Sequence, residues 1–442
     1  MSLRVKTVQI NWHEGLPIFS VDFDHSFGGC GWRFATGGGD NNVRIWRLCT
    51  AAEQAAAPHE PAVEFLASLN RHTAPVNVVR FAPDCSGRLA SAGDDGVVII
   101  WRRHSDPQDE PETWRAGAML RGSLADICDL AWSPCGRFLA SASVDNTARI
   151  WDAQTARCLQ VLADHQHYVQ GVAWDPLGQF LATQSSDRSL RVYRWLDEPG
   201  RVGEVAAAMA THVSRPCAAE DGAPARTQRL FHDDNLASFF RRPSVSPDGR
   251  LVATAAGVQR GRGSRNTCLV WARDRLQTAP VLSLAGHAKP VVACRWAPCR
   301  FEARSNNCSS DGNSGWVGGV SERMMLAVAS QNAVALYDTS ADAGAVGLLS
   351  GLHYAALADL AWTADGSHLV VVSLDGFASV ARIDQPTAAL PLEPPEPLPS
   401  APLEPAAQPV VQPATAGDSA PARADPAAGV RKRVAPTLVG AL

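Results

Sequence analysis

Four aspartates recur at one spacing. Asp40, Asp95, Asp145 and Asp187 each stand six residues before an aromatic residue: Trp46, Trp101, Trp151 and Tyr193. Paired carboxylates can exchange protons with a substrate, and nearby histidines would strengthen that reading. His72, His165, His287 and His353 precede comparable stretches. Gly37-Gly38-Gly39 could cradle a phosphate, and eleven cysteines could hold zinc or disulfides. Each pattern also has a structural explanation. Four copies of one aspartate at one position mark a turn residue, because a carboxylate there accepts backbone N–H groups and sets hairpin register. No second ligand stands at metal spacing from the histidines. The glycines fall where other copies read Ser91-Ala92-Gly93 and Ser141-Ala142-Ser143. The cysteines are odd in number and form no CxxC pair, and GxSxG, HExxH and P-loop spacings are all missing from the sequence. The expectation is a non-enzyme with no cofactor and no metal.

The aspartates belong to a longer unit. FATGGGDNNVRIW ends at Trp46, LASAGDDGVVIIW at Trp101, LASASVDNTARIW at Trp151 and LATQSSDRSLRVY at Tyr193. VNVVRFAPDCSG from Val76, ICDLAWSPCG from Ile127 and VQGVAWDPLG from Val169 form an upstream half. Weaker copies begin at Ser244, Val291 and Leu357, which makes seven units. Each reads as a strand, a Pro/Asp/Gly turn, a strand of small residues, a tight Asp turn and a strand ending in an aromatic. The unit resembles the WD40 repeat, with four strands per propeller blade. The expected fold is therefore all-β, a seven-bladed WD40 β-propeller over residues 1–383. Its amino-terminal strand, 4–12, would complete the last blade and leave no sheet edge open. The terminal aromatics lie 55, 50, 42, 78 and 66 residues apart, and the excess predicts loop-like insertions at 51–69, 103–120, 197–238, 257–266 and 300–323. In the third unit Gly122-Ser123 replaces the expected Gly-His, so its polar contacts must close differently.

The 442 residues accommodate such a ring and a tail, and 46% hydrophobic content is that of a globular chain. A balance of 40 basic against 44 acidic residues, net −4, excludes a surface built throughout to grip nucleic acid. No apolar run approaches the roughly 18 residues of a membrane span, and the first residues lack an apolar signal core. A soluble, intracellular chain is expected. Beyond Ile383, residues 384–430 contain twelve prolines and six acidic residues against Arg423 alone. That composition predicts a disordered Pro/Ala-rich linker. Residues 431–442 then form a short basic segment.

Three surface features bear on partners. In FHDDNLASFFRR (231–242), Phe239 and Phe240 read as core with Arg241 and Arg242 on a solvated edge. All four together would alternatively make a partner-docking patch. The loop Gln259–Arg265 is basic and is expected to be flexible; its readings are contact with acidic chains or with nothing, and the second is favoured. RKRVAPTL, from Arg431, fits a nuclear localisation signal. Its order also fits a peptide ligand, with Arg431, Lys432 and Arg433 for carboxylates and Val434 and Pro436 for an apolar groove.

Particular strings narrow the class. INWHEGLPIFSVDF (10–23), NRHTAPVNVVRFAP (70–83), HYVQGVAWDPLGQFLAT (167–183), FHDDNLASFFRR and LAVASQNAVALYDT (326–339) resemble the middle, WD40 subunit family of chromatin assembly factor one. RKRVAPT is similar to the motif with which that family engages the anti-silencing-function histone chaperone. The resemblance implies a nuclear, non-enzymatic scaffold joined to the large and small subunits of the factor. It would help deposit histones H3–H4, reached through the complex, during DNA replication and repair. Direct sequence-specific DNA binding and membrane attachment are not implied. Two alternatives share the fold. One is the histone-regulator WD40 protein of replication-independent deposition, which carries a large domain after its motif, whereas this sequence stops at Leu442. The other is a WD40 substrate receptor of a ubiquitin ligase.

Overall fold

The computed structural model describes residues 2–390 apart from 26–30, 50–52, 54–61, 85, 105–111, 124, 197–201, 210–228, 237, 262, 277–278, 303–315, 317–321, 342 and 385–388. Seven four-stranded antiparallel sheets form the blades of a β-propeller. Their first strands are Ile18–Phe23, Val76–Phe81, Ile127–Trp132, Val169–Trp174, Ser244–Val245, Val291–Trp296 and Leu357–Trp362. These strands meet one another around the axis, so each inner strand is covered on both faces by neighbouring blades. Small residues suit that crowding. Arg88–Gly93 and Phe138–Ser143 are buried at every position. Outer strands cover one face only and alternate, as Trp114–Arg121 does between half-buried and exposed residues.

Ser2–Val8 pairs with Ala378–Asp384 along seven register positions and supplies the fourth strand of blade seven. The strand stops short of the 4–12 span read from the sequence. Trp12 instead turns inward, where its Nε1 donates to the Val8 carbonyl at 3.0 Å and its ring lies 4.7 Å from Trp46.

The insertions are less loop-like than expected. Outer strands Val63–Leu69, Trp114–Arg121 and Val202–Met209 occupy parts of 51–69, 103–120 and 197–238. In Trp114–Arg121 the alternation of half-buried and exposed residues leaves a weaker apolar pattern, which hid that strand from a count based on inner strands. Residues 257–266 belong to a long hairpin built from Leu251–Gly261 and Gly263–Ala272. Within 300–323, Arg300–Glu302 pairs with Glu322–Arg323 and, on its other side, with Ala389–Leu390. Residues 385–388 and 391–430 of the linker, and all of 431–442, lie outside the described residues.

Ring closure has a direct consequence. Removing residues 1–8 exposes the edge of Ala378–Asp384 and is expected to lower the melting temperature by several degrees and promote self-association. Differential scanning fluorimetry and size-exclusion chromatography measure both. A monomer of unchanged stability would contradict the closure role.

Candidate functional site

The turn aspartates lie between the second and third strands of blades one to four, and each faces the loop entering its blade. The residue after each adopts the left-handed region: Asn41 (φ 64°), Gly96 (φ 68°), Asn146 (φ 69°) and Arg188 (φ 70°). Asn and Gly suit that conformation, whereas Arg188 bears about 1–2 kcal/mol of strain.

In blade two the His72 Nδ1 bonds Asp95 at 2.8 Å and its Nε2 bonds the Ser91 hydroxyl at 2.7 Å. The Trp101 indole N–H donates to that same hydroxyl at 2.8 Å. The hydroxyl therefore donates to Nε2, which leaves Nδ1 protonated and donating to the carboxylate. Blade one repeats the chain through Asp40, His13, Thr36 and Trp46. Blade four does so through Asp187, His165 and Thr183. Tyr193, in place of the tryptophan, donates instead to Asp164 at 3.1 Å. Blade seven uses Asp375, His353 and Ser379. In blade three the Ser123 hydroxyl takes the histidine's place, 2.9 Å from Ser143 and 3.3 Å from Asp145. Arg149 adds a 2.6 Å ion pair to Asp145. His287 lies outside the pattern, 3.3 Å from the Tyr337 hydroxyl.

These contacts hold protons rather than move them. Burial tends to raise the Asp40 carboxyl, but bonds from His13 and Asn42 hold it down to about 2. Burial lowers the pKa of His13, keeping the ring neutral. Gly37 and Gly38 are spacing residues: a Cβ would come within 2.8 Å of Val76 Cγ1 and 2.6 Å of the His13 ring respectively. Among the described residues no group of three or more His, Cys, Asp or Glu side chains could hold a metal ion.

A second polar cluster occupies the axis. Arg242 is fully buried. Its guanidinium donates to the carbonyls of Phe19 (2.9 Å), Asn77 (2.7 Å) and Ala358 (3.0 Å), in blades one, two and seven. It lies 3.2 Å from Asp359 and 3.6 Å from Asp129, in blades seven and three. Its own N–H and C=O bond Val292 and Cys294 of blade six. The Arg241 N–H donates to the Gln170 carbonyl of blade four at 3.2 Å. Gly171 permits that approach, since a Cβ there would collide with the Arg241 carbonyl. Arg80 bridges Asp129 (3.1 Å) and Asp359 (3.0 Å), and Arg295 reaches Asp359 at 3.3 Å. Burial alone would raise the Asp359 carboxyl, but Arg242, Arg80 and Arg295 hold it well below the usual range. Burial pulls the Arg242 guanidinium down to about 10, so it stays charged at neutral pH.

This placement corrects the reading of Arg241 and Arg242 as a solvated edge, while Phe240 is core as expected. Phe240, Arg241 and Arg242 are buried, with Arg242 stacked 4.0 Å from the Phe240 ring centroid. Arg241 binds the carbonyls of His232 and Asp233. Phe239 is half-buried against Phe240. Their polar groups serve the chain itself rather than a partner. His13, Asp129 and Asp359 were not singled out in the sequence, although a carboxylate inside ICDLAW or LADLAW is a visible anomaly in an apolar strand. The motif residues Arg431, Lys432, Arg433, Val434 and Pro436 lie outside the described residues.

Residues 3–386 match the CAF1B/HIR1 beta-propeller domain family. The chain is 38% identical over 411 residues to a chromatin assembly factor 1 subunit of Gallus gallus, covering 88% of this chain and 69% of the relative. It is 32% identical to the namesake of that protein in Saccharomyces cerevisiae, covering 89% of both chains. "Protein HIRA" of Oryza sativa subsp. japonica is 33% identical, but only 36% of its length is covered.

Three variants separate the two polar systems. Arg242→Met removes one of the two guanidiniums that Asp129 and Asp359 share and is expected to cost about 3–5 kcal/mol in denaturant unfolding. An unchanged midpoint would contradict the axial role. Asp145→Ala removes a turn acceptor and should cost about 1–3 kcal/mol, against no loss if the turn does not depend on it. A histidine with a lowered folded pKa stabilises above its unfolded value near 6.5, and this contribution fades as pH falls below it. Stability should therefore decline as pH falls below about 6.5, and His13→Gln should flatten that decline. A parallel pH profile for the variant would contradict the neutral relay.

Proposed function

The chain belongs to the CAF1B/HIR1 β-propeller family, and from that premise we propose that it is the WD40 subunit of a chromatin assembly factor 1 complex. One observation carries the reading: similarity to named components of that factor runs along nearly the whole of both chains, 89% of each in the Saccharomyces cerevisiae case. The internal chemistry agrees with a scaffold. The buried histidines and carboxylates described above are bonded within the ring, so what the molecule offers is surface for other proteins. In this reading the propeller holds the large subunit, the small subunit completes the complex, and histones H3–H4 are deposited in the nucleus on replicated or repaired DNA.

The tail supplies recruitment. Arg431, Lys432 and Arg433 meet carboxylates of the anti-silencing-function histone chaperone, each charge-assisted bond contributing about 1.5–3 kcal/mol. Val434 and Pro436 enter an apolar groove, and Pro436 biases Ala435 toward extended backbone suited to a sheet edge. A peptide spanning 428–442 is expected to bind that chaperone, more weakly as salt rises. Arg433→Ala combined with Val434→Asp should abolish binding in calorimetry while the full chain still co-precipitates the large subunit. Full affinity in the double variant would reduce the segment to a localisation signal.

A further inference from the structure

Blade seven departs from the other blades where three loops meet. His353 enters that blade, and Asp375 holds the turn between His368–Ser373 and Ala378–Asp384. The Tyr354 N–H donates to Asp375 at 3.0 Å, and the Phe377 N–H does so at 3.1 Å. Blade four makes the same two bonds to Asp187, from Gln166 at 3.1 Å and Ser189 at 2.9 Å. The residue before the aspartate is Leu374 in blade seven and Ser186 in blade four. Blade one closes its turn with Gly39, Asp40 and Asn42. The turn therefore does not require Tyr354, Leu374 or Phe377, yet Tyr354 is fully exposed, Leu374 is 38% exposed and Phe377 is 39% exposed. Leu16, 43% exposed in the loop entering blade one, adjoins them. A Cβ on Gly376 would lie 2.9 Å from the Leu16 carbonyl oxygen. Single exposed apolar residues are ordinary, but four on adjoining loops make a patch of the kind that marks an interface.

We propose that this patch takes the apolar face of an amphipathic helix from the large subunit. The patch then supplies the surface for the propeller's hold on that subunit, and so rests on the function proposed above. The backbone decides for a helix over a strand. The N–H groups of Leu16, Leu374 and Gly376 donate to the carbonyls of His13, Ala356 and Ser373, and those of Tyr354 and Phe377 donate to Asp375. With these five donors taken, the patch offers no strand edge, and a segment buried on it must satisfy its own backbone groups. A helix does so, and its aliphatic or aromatic residues at three- and four-residue spacing share one face. Charge sets the register. Glu14, next to Leu16, has a side chain 66% exposed and only a 3.4 Å contact with Arg44. A basic residue beside the helix's apolar stripe would meet that carboxylate. Tyr354 is the principal anchor, since an aromatic side chain buries about 150–250 Å² and such residues dominate interface energies.

The test is interferometry of the full-length chain against the full-length large subunit. In the triple variant Tyr354→Gln, Leu374→Ser, Phe377→Ser, blade seven carries the residues with which blade four closes the same turn, so its melting temperature should not change. Wild type should bind the large subunit, and the variant should bind at least about tenfold more weakly, the loss expected of a hot-spot anchor. If the triple variant melts lower, Tyr354→Gln alone decides, because that side chain is fully exposed. Equal affinity in the deciding variant overturns the docking site and leaves the assembly reading intact. A wild type that does not bind the large subunit overturns both. A photo-cross-linking amino acid at position 354 identifies the occupant. The expected cross-links fall on large-subunit residues within a segment whose apolar positions recur every three or four. Cross-links to a histone, to a second copy of this chain or to its own residues 391–442 overturn the proposal.

Discussion

One dipeptide touches every blade. Arg241 reaches blade four through its backbone, and Arg242 reaches blades one, two, three, six and seven, while the pair leads into blade five. Seven separate sheets packed side by side are held mainly by apolar contact, which is strong but indifferent to small slippage. Carbonyls aimed at one fixed guanidinium are not indifferent. Arginine suits this position because its planar fork offers five donors at set angles, whereas a lysine ammonium would act as a point charge. The cost is desolvation of several charges, offset only because Asp129 and Asp359 stand beside Arg80, Arg242 and Arg295. It also explains the short first strand of blade five, Ser244–Val245: the residues before it have left the sheet for the axis.

Away from the axis, the histidine chains do a related job blade by blade. Each ties an entering loop to a tight turn and to a hydroxyl of the second or third strand, and in blades one and two that hydroxyl also accepts from the third-strand indole. Residue types that could serve catalysis are thereby bonded internally. Fixed, satisfied polar groups make a rigid ring, and a rigid ring presents its loops and outer strands in a constant arrangement. That suits a member of an assembly better than an enzyme.

Much of this was legible in the sequence, for identifiable reasons. Repetition exposed the blades, because Asp40, Asp95, Asp145 and Asp187 recur against the same aromatic, and turn chemistry tolerates few alternatives. Outer strands such as Trp114–Arg121 were harder to see, since one covered face leaves half the residues free to be polar. The axial cluster was nearly invisible, because its members lie up to 279 residues apart, as Arg80 and Asp359 do. Local pattern could flag Asp129 and Asp359 as misfits in apolar strands, but only the closed ring brings them to one guanidinium. Arg241 and Arg242 looked like a solvated edge for the same reason. Arginine is rarely fully buried, and nothing near it in sequence supplies its partners.

The reading of this chain as a member of an assembly stands on what it binds in the cell. The most direct measurement is affinity purification of the tagged full-length chain from nuclear extract, followed by quantitative mass spectrometry. The account predicts the large and small chromatin assembly factor subunits in near-stoichiometric amounts, with the histone chaperone at lower, salt-sensitive levels. Recovery of cullin-adaptor proteins in place of those subunits would contradict it and make the propeller a ubiquitin-ligase receptor.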